Sequence, residues 1–106
     1  MLLAWIYLII AGLAEIVFAT CLKMSQGFTR PLPTLFFVIS ATLSLYLMNK
    51  AINSIPLGTV YAVWTGIGAA GVVITGVILF KDPISVTRMI FIGLLLISIV
   101  GLKFSE

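Results

Sequence analysis

Charged residues are scarce in this chain of 106 residues: they make up 8% of it, against about 25% in a typical soluble domain. Hydrophobic residues make up 62% of the sequence. This composition excludes a soluble globular domain and leaves a membrane-embedded protein as the class that fits. The net charge of +3 comes from residues near the ends of apolar segments, which favours anchoring at lipid headgroups and gives no reason to expect nucleic-acid binding.

Histidine is absent, and Cys21 is the only cysteine. One cysteine cannot form a disulfide within the chain, and no residues lie at metal-ligand spacing, so we expect no metal and no other cofactor. The sequence has no phosphate-binding glycine motif, and we expect no enzyme. We also expect no separate signal peptide, because the first charge, Glu15, falls in the middle of the first apolar segment.

The few charges divide the chain into four apolar segments. A helix needs roughly 20 apolar residues to cross a hydrocarbon core of about 30 Å. The sequence predicts one membrane domain over residues 1–106, with transmembrane helices at residues 2–23, 31–50, 57–80 and 85–104. The last segment has 14 charge-free residues between Arg88 and Lys103, and it reaches spanning length if both side chains snorkel. The predicted fold class is an all-α membrane protein.

Glu15 is the only charged side chain in the first apolar segment. An acid at bilayer depth is costly, and by default it indicates a functional site. Residues three and four apart share a helix face, so Gly12, Glu15 and Phe18 lie on one stripe of helix 1. The small residue leaves room beside the acid, and the phenyl ring lies one turn after it.

Three residues on other helices are candidate partners of this acid. Tyr61 and Trp64 share a face of helix 3, and Ser44 falls near the middle of helix 2. A carboxylate among aromatic rings suits an organic cation, which the rings attract by about 0.5–2 kcal/mol each. Each of these residues also has a structural interpretation. Glu15 could be an acid bonded to a neighbouring Ser or Trp, the aromatic residues could form an interfacial belt, and Ser44 could only pack helices.

One carboxyl group can hold a proton or a cation, so the two ligands compete for it. If the site opens to one side of the membrane at a time, this competition gives antiport. Two such acids close together would titrate as a pair. The predicted partners of the chain are therefore protons, a small organic cation and the lipid bilayer.

A single four-helix chain with one acid encloses little space, which favours a dimer. Many transporters place their site between two inverted repeats, and an inverted second copy would supply this geometry. The basic residues would divide four to two between the sides of the membrane, with Lys23, Arg30, Lys81 and Arg88 on one side and Lys50 and Lys103 on the other. The α-amine of Met1 raises the second count to three. This bias is weak. The alternative is a fixed orientation, with a parallel dimer or a partner subunit.

Glycines mark two further helix faces. Gly66 and Gly68 in helix 3 predict either close helix packing or a hinge that bends during transport, and the sequence favours neither. Gly93 and Gly101 are eight residues apart and share a face of helix 4. We interpret that face as an association surface for the dimer.

The motifs of the chain resemble those of the small multidrug resistance transporters. They are Ala11-Gly12-x-x-Glu15, Gly27-Phe28-Thr29-Arg30, Pro56-x-Gly58-Thr59-x-Tyr61-Ala62-Val63-Trp64-Thr65-Gly66-Ile67-Gly68 and Gly101-Leu102-Lys103. The resemblance implies an antiparallel, dual-topology homodimer in the bacterial inner membrane that exchanges protons for cations. It also implies that Glu15 is the shared site for both ligands and that Tyr61 and Trp64 line it.

Within that family, Gly12, Ser44 and the helix 3 motif resemble the branch that exports guanidinium. In that branch, Ser44 and Trp64 would orient the carboxylates by hydrogen bonds. Phe18 departs from it, because a Trp is usual at this position and its N–H is lost here. The departure leaves a quaternary ammonium exporter as the alternative. The sequence is also compatible with a heterodimer of paired subunits, and with a membrane subunit that does not itself transport.

Overall fold

The computed structural model describes residues 2–105 and, within them, four α-helices and no strand. The helices are α1 (Leu2–Met24), α2 (Pro31–Ile52), α3 (Leu57–Phe80) and α4 (Val86–Phe104). Each is long and apolar enough to cross a membrane, so the predicted all-α class with four transmembrane helices is confirmed. Met1, with the α-amine that enters the charge count, and Glu106, which ends the predicted domain, lie outside the described residues.

The helix ends follow from local chemistry. Pro31 opens α2, where a missing N–H costs nothing because the first turn leaves its N–H groups free. Ser85 precedes α4 and caps it, since its hydroxyl accepts from the backbone N–H of Arg88 at 3.1 Å. At the end of α3, Lys81 adopts a left-handed conformation with φ of 57°. The next N–H, that of Asp82, then donates to the carbonyl of Gly76 at 3.1 Å.

The loop after α1 contains a tight left-handed turn. Gln26, Gly27 and Phe28 have φ values of 49°, 73° and 67° in succession. Ser25 supports the turn, because its hydroxyl donates to the carbonyl of Leu22 at 2.7 Å and accepts from the N–H of Phe28 at 3.2 Å. This turn directs the Phe28 side chain toward α2.

α1 lies at the centre of the fold and packs against both α2 and α3, whereas the backbone of α4 lies close to that of α3. The buried core lies where the first turns of α1 and α3 meet the end of α2 and the loop after it. It consists of these side chains: Ala4, Trp5, Leu8, Ala51, Ile55, Val60 and Val63. Many large apolar side chains outside this core are exposed, as expected for helices that face lipid.

Lysine side chains lie over aromatic rings at both ends of the bundle. Lys23 Nζ is 4.4 Å from the centre of the Phe80 ring, and Lys103 Nζ is 5.4 Å from that of Trp5. Such pairs let an ammonium group stay at the membrane boundary while its methylene stem covers apolar surface. The arrangement agrees with the predicted anchoring at headgroups.

Candidate functional site

Glu15 lies in the middle of α1, half-buried, and its carboxyl group is directed at α3. The Oε1 atom is buried and has no hydrogen-bond partner among residues 2–105. The carboxyl group lies so close to the backbone of Gly68 that a β-carbon there would overlap it. Buried polar atoms without a partner are costly and rare in folded proteins. Oε1 can therefore accept a hydrogen bond from a group that residues 2–105 do not supply.

Ser44 and Trp64 meet one helical turn from the acid. The indole Nε1–H of Trp64 donates to Ser44 Oγ at 2.8 Å, and the Ser44 hydroxyl donates to the carbonyl of Ala11 at 2.7 Å. Ser44 is fully buried. The two bonds join α3 to α2 and α2 to α1, because each residue lies on a different helix. This chain of bonds fixes the level of the three helices next to Glu15.

The hydrogen bonds of Ser44 and Trp64 differ from those implied by the resemblance to the guanidinium branch. Each side chain has a single donor hydrogen, and here both hydrogens are used away from the carboxyl group. Their predicted role as donors to the carboxylate stays a prediction, which would require the Ser44 hydroxyl or the indole to turn. The alternative of a structural Glu15 held by a Ser or a Trp finds no support at Oε1.

The rings of Tyr61, Trp64 and Phe18 form a row, and the row continues to Phe37, which the sequence pattern does not single out. The Tyr61 and Trp64 ring centres are 6.0 Å apart, and those of Trp64 and Phe18 are 6.4 Å apart. Phe18 also meets Phe37 of α2 edge-on, at 5.8 Å and 88°. Tyr61 is 58% exposed in the single chain, so it lies at the open edge of the row.

Gly12 serves packing between helices. It is buried, and a β-carbon there would overlap the side chain of Ile67 on α3. The absence of a side chain at Gly12 lets α1 and α3 approach closely just before Glu15. Its predicted place in the lining of a substrate site stays a prediction.

The two glycines of α3 with a predicted hinge or packing role both lie at helix contacts. The absence of a side chain at Gly66 leaves room for the side chain of Ile99 from α4, and its absence at Gly68 leaves room for the carboxyl group of Glu15. α3 is one uninterrupted helix through both positions. The contacts agree with close packing, and bending at these glycines stays a prediction.

Gly93 and Gly101 lie on the free side of α4. Apart from the backbone of α4 itself, no atom of the described chain approaches within 4 Å of a β-carbon built at either position. The helical repeat places Gly101 nearly opposite Ile99, which packs against Gly66, and Gly93 about 120° from it. Within the described chain no residue of α4 is buried, so this side is open to a second copy or to lipid. Association through these glycines stays a prediction.

The sequence pattern does not single out three contacts between the helices. The carbonyl of Ala11 accepts from Ser44, but a backbone acceptor leaves no trace in a side-chain pattern. Phe37 joins the aromatic row, although it falls among many apolar residues of α2. Thr20 and Thr75 approach within 3.2 Å between their hydroxyl oxygens and link α1 to α3. The signal for this last pair was available, because hydroxyls in apolar helices commonly bond across them.

An apolar groove between α1 and α2 is separate from the acid. It has a volume of about 570 Å³, and its lining includes Leu13, Val17, Phe36, Ile39 and Leu43. The nearly all-apolar lining suits lipid chains better than a cation. Within residues 2–105, no cluster of His, Cys, Asp or Glu side chains could hold a metal ion.

Four apolar helices define a multi-spanning membrane protein, and one of them carries a half-buried acid whose Oε1 has no partner among residues 2–105. The chain matches the family model described as Small Multidrug Resistance protein over residues 3–95. It therefore belongs to the small multidrug resistance family. It is a multi-pass transport protein of the bacterial inner membrane, in a family whose members form antiparallel, dual-topology dimers.

Several relatives are similar over their whole length. A guanidinium exporter from Yersinia pseudotuberculosis serotype I (strain IP32953) is 45% identical over 104 residues, which cover 98% of this chain and 100% of the relative. A guanidinium exporter from Citrobacter freundii is 44% identical over 103 residues, which cover 97% and 98% of the two chains. One from Salmonella typhimurium is similar to the same extent, at 44% identity.

Proposed function

We propose that this chain is a proton-coupled antiporter that exports small guanidinium-type cations. The observation that carries the proposal is the Oε1 atom of Glu15, which is buried and unpartnered among residues 2–105. A carboxyl oxygen in this state can be completed by a proton or by a donor from a bound cation. Because one carboxyl group cannot hold both, uptake of one ligand releases the other.

Guanidinium suits this site by its shape and its donors. It is planar and carries N–H groups in a fork that matches the two oxygens of a carboxylate. The plane of the ion can also lie along aromatic faces, and Trp64 and Phe18 provide such faces within one turn of the acid. The names of the relatives from Yersinia, Citrobacter and Salmonella support the same substrate.

The working unit in this proposal is an antiparallel homodimer. A single chain leaves Tyr61 exposed and contributes one carboxyl group. A second, inverted copy would bring a second Glu15 to the site and cover the open edge of the aromatic row. Because the two copies have the same sequence, the dimer could then open its site to each side of the membrane in turn through equivalent conformations. A heterodimer with a paired subunit would supply the same geometry from two sequences.

Export of quaternary ammonium ions is the second candidate function, and Phe18 favours it. Its ring contacts Phe37 and Trp64, so one wall of the site is aromatic and carries no donor for the carboxylate. Quaternary ammonium ions donate no hydrogen bonds and bind through charge and aromatic faces alone. Without a second indole N–H to hold the carboxylate, the site discriminates less between cations that donate hydrogen bonds and cations that do not.

A flux measurement separates these functions. Purified protein is reconstituted in liposomes with a pH-sensitive dye inside, and a gradient of guanidinium, tetramethylammonium or benzyltrimethylammonium is imposed. We expect guanidinium to drive proton movement in the opposite direction, and we expect the Glu15→Gln variant to show none. Coupled flux with the ammonium ions and none with guanidinium would favour the second candidate function over the first. Flux of neither class from intact dimers would reject both.

A further inference from the structure

Phe37 is a half-buried residue of α2 that contacts the wall of the candidate site and not the acid itself. Its ring meets that of Phe18 edge-on, with 5.8 Å between centres and an angle of 88° between planes. On its other side Phe18 faces Trp64, at 6.4 Å and 40°. Phe18 is therefore held between one ring from α2 and one ring from α3.

The two aromatic residues beside Glu15 are held in different ways. Trp64 is fixed by a hydrogen bond from its indole N–H to Ser44 Oγ at 2.8 Å. Phe18 has no polar atom in its side chain, so packing alone decides where its ring lies. Of the two rings that pack against Phe18, only Phe37 comes from outside the predicted site residues.

Phe37 is itself held in place from the loop. Phe28 follows the left-handed turn after α1, and its ring centre lies 5.5 Å from that of Phe37, with 63° between the planes. The rings of Trp64, Phe18, Phe37 and Phe28 thus form one row from the site to the end of the bundle. A ring in the middle of such a row has little freedom to turn.

We propose that Phe37 is a positioning residue that holds the Phe18 ring against the substrate site and thereby sets the preference among cations of different size. The role rests on the proposed function, because it concerns the same site. Edge-to-face pairs of this kind bias the position of a ring by about two- to tenfold. Loss of Phe37 would let Phe18 swing toward α2, so that cations bearing an aromatic group lose a fixed surface.

The prediction distinguishes two guanidinium-type probes. Guanidinium itself is small and can still bind to the carboxylate and to the Trp64 ring, which Ser44 holds in place, so its apparent KM should stay within about twofold in Phe37→Leu. Phenylguanidinium also needs an apolar wall, and its apparent KM should rise about three- to tenfold with little change in maximum rate. General damage to the fold would instead lower the rates of both probes together.

Matched variants separate this role from packing. Phe36→Leu makes the same change on the adjacent residue of α2, whose side chain is 49% exposed, and should leave the ratio of the two KM values unchanged. Phe37→Tyr keeps the ring and should restore the wild-type ratio. In a Phe18→Leu background, Phe37→Leu should have no further effect on the ratio, because the residue through which it acts is gone.

The test is the ratio of KM values for phenylguanidinium and guanidinium in proteoliposomes, measured for the wild type and these variants, all verified as dimers. Two outcomes overturn the inference while the proposed function stands. Either Phe37→Leu leaves the ratio unchanged, or it changes the ratio equally in the wild type and in the Phe18→Leu background. If the wild type moves only ammonium ions, benzyltrimethylammonium and tetramethylammonium replace the two probes with the same expectation. A wild type without any coupled flux rejects the proposed function, and the inference falls with it.

Discussion

The carboxyl group of Glu15 lies against the backbone of Gly68, in space that a β-carbon on Gly68 would occupy. The acid on α1 therefore depends on the absence of a side chain on α3. One turn away, Trp64 and Ser44 hold the same two helices at a fixed level through the Ala11 carbonyl. The position of the carboxyl group is thus set by neighbouring helices, while its Oε1 is left free for a ligand.

We expect Gly68→Ala to displace the carboxyl group and lower transport by about 10- to 100-fold, because small misplacements of a reacting group are costly. Gly58→Ala makes the same change in the first turn of α3, where a β-carbon meets no atom within 4 Å, and it should retain activity. Coupled guanidinium flux in proteoliposomes measures both. Equal activity of the two variants would contradict the importance of the Glu15–Gly68 contact.

Ser44→Ala should destabilise the fold, because it leaves the indole N–H of Trp64 and the Ala11 carbonyl without their present partner. A loss of about 1–2 kcal/mol is expected for such a bond in a membrane bundle. Ser98→Ala is the control, since that hydroxyl is exposed and bonds only to the carbonyl of Leu94 in its own helix. Unfolding in mixed micelles compares them, and indistinguishable stabilities would show that the bridge contributes nothing.

Thr20 and Thr75 should show an energetic coupling across α1 and α3. The Thr20 hydroxyl donates to the carbonyl of Ile16 at 2.8 Å. The Thr75 hydrogen then has two acceptors, Thr20 Oγ1 at 3.2 Å and the carbonyl of Val72 at 3.1 Å. Because an acceptor on its own helix is always available, the coupling should be small, about 0.6 kcal/mol. A double-mutant cycle with Thr20→Val and Thr75→Val measures it, and strictly additive effects would argue that the hydroxyls do not interact.

Bulk at Gly93 or Gly101 should weaken dimerisation and leave the single chain folded. A β-carbon there meets no atom within 4 Å beyond the backbone of its own helix, so we expect added bulk to be opposed by a second copy and not by the rest of the chain. Gly66→Leu is the contrasting change, because it would overlap Ile99 and disturb the packing of α4 within the chain. Dimer affinity in detergent and helix content by circular dichroism distinguish the cases. Unchanged dimer affinity in Gly93→Leu and Gly101→Leu would remove these glycines from the interface.

The helices and the acid were accessible from the sequence because they depend on local chemistry. The spacing of charges predicts four spans, and Glu15 indicates a functional site because it is the only charged residue of the first apolar segment. Helical periodicity also brings Gly12, Glu15 and Phe18 to one face of α1. Prolines and a capping serine explain where α2 and α4 begin.

Contacts between helices were less accessible, because periodicity defines a face and not the level at which two helices meet. The sequence predicts that Ser44 and Trp64 lie near the acid, but their bonds lead to the Ala11 carbonyl instead of the carboxyl group. Phe37 resembles any other apolar residue of a lipid-facing helix until the Phe18 ring is seen beside it. These details depend on the depth at which α2 and α3 pack against α1.

In the proposed mechanism, Glu15 exchanges a proton for the cation. The most direct test of this exchange is proton release from the purified dimer in weakly buffered detergent, followed with a pH-sensitive dye while guanidinium is added. The wild type should release protons in a saturable manner, and Glu15→Gln should release none while it remains a dimer. Release that persists in Glu15→Gln, or guanidinium binding to the wild type without any release, would contradict this mechanism.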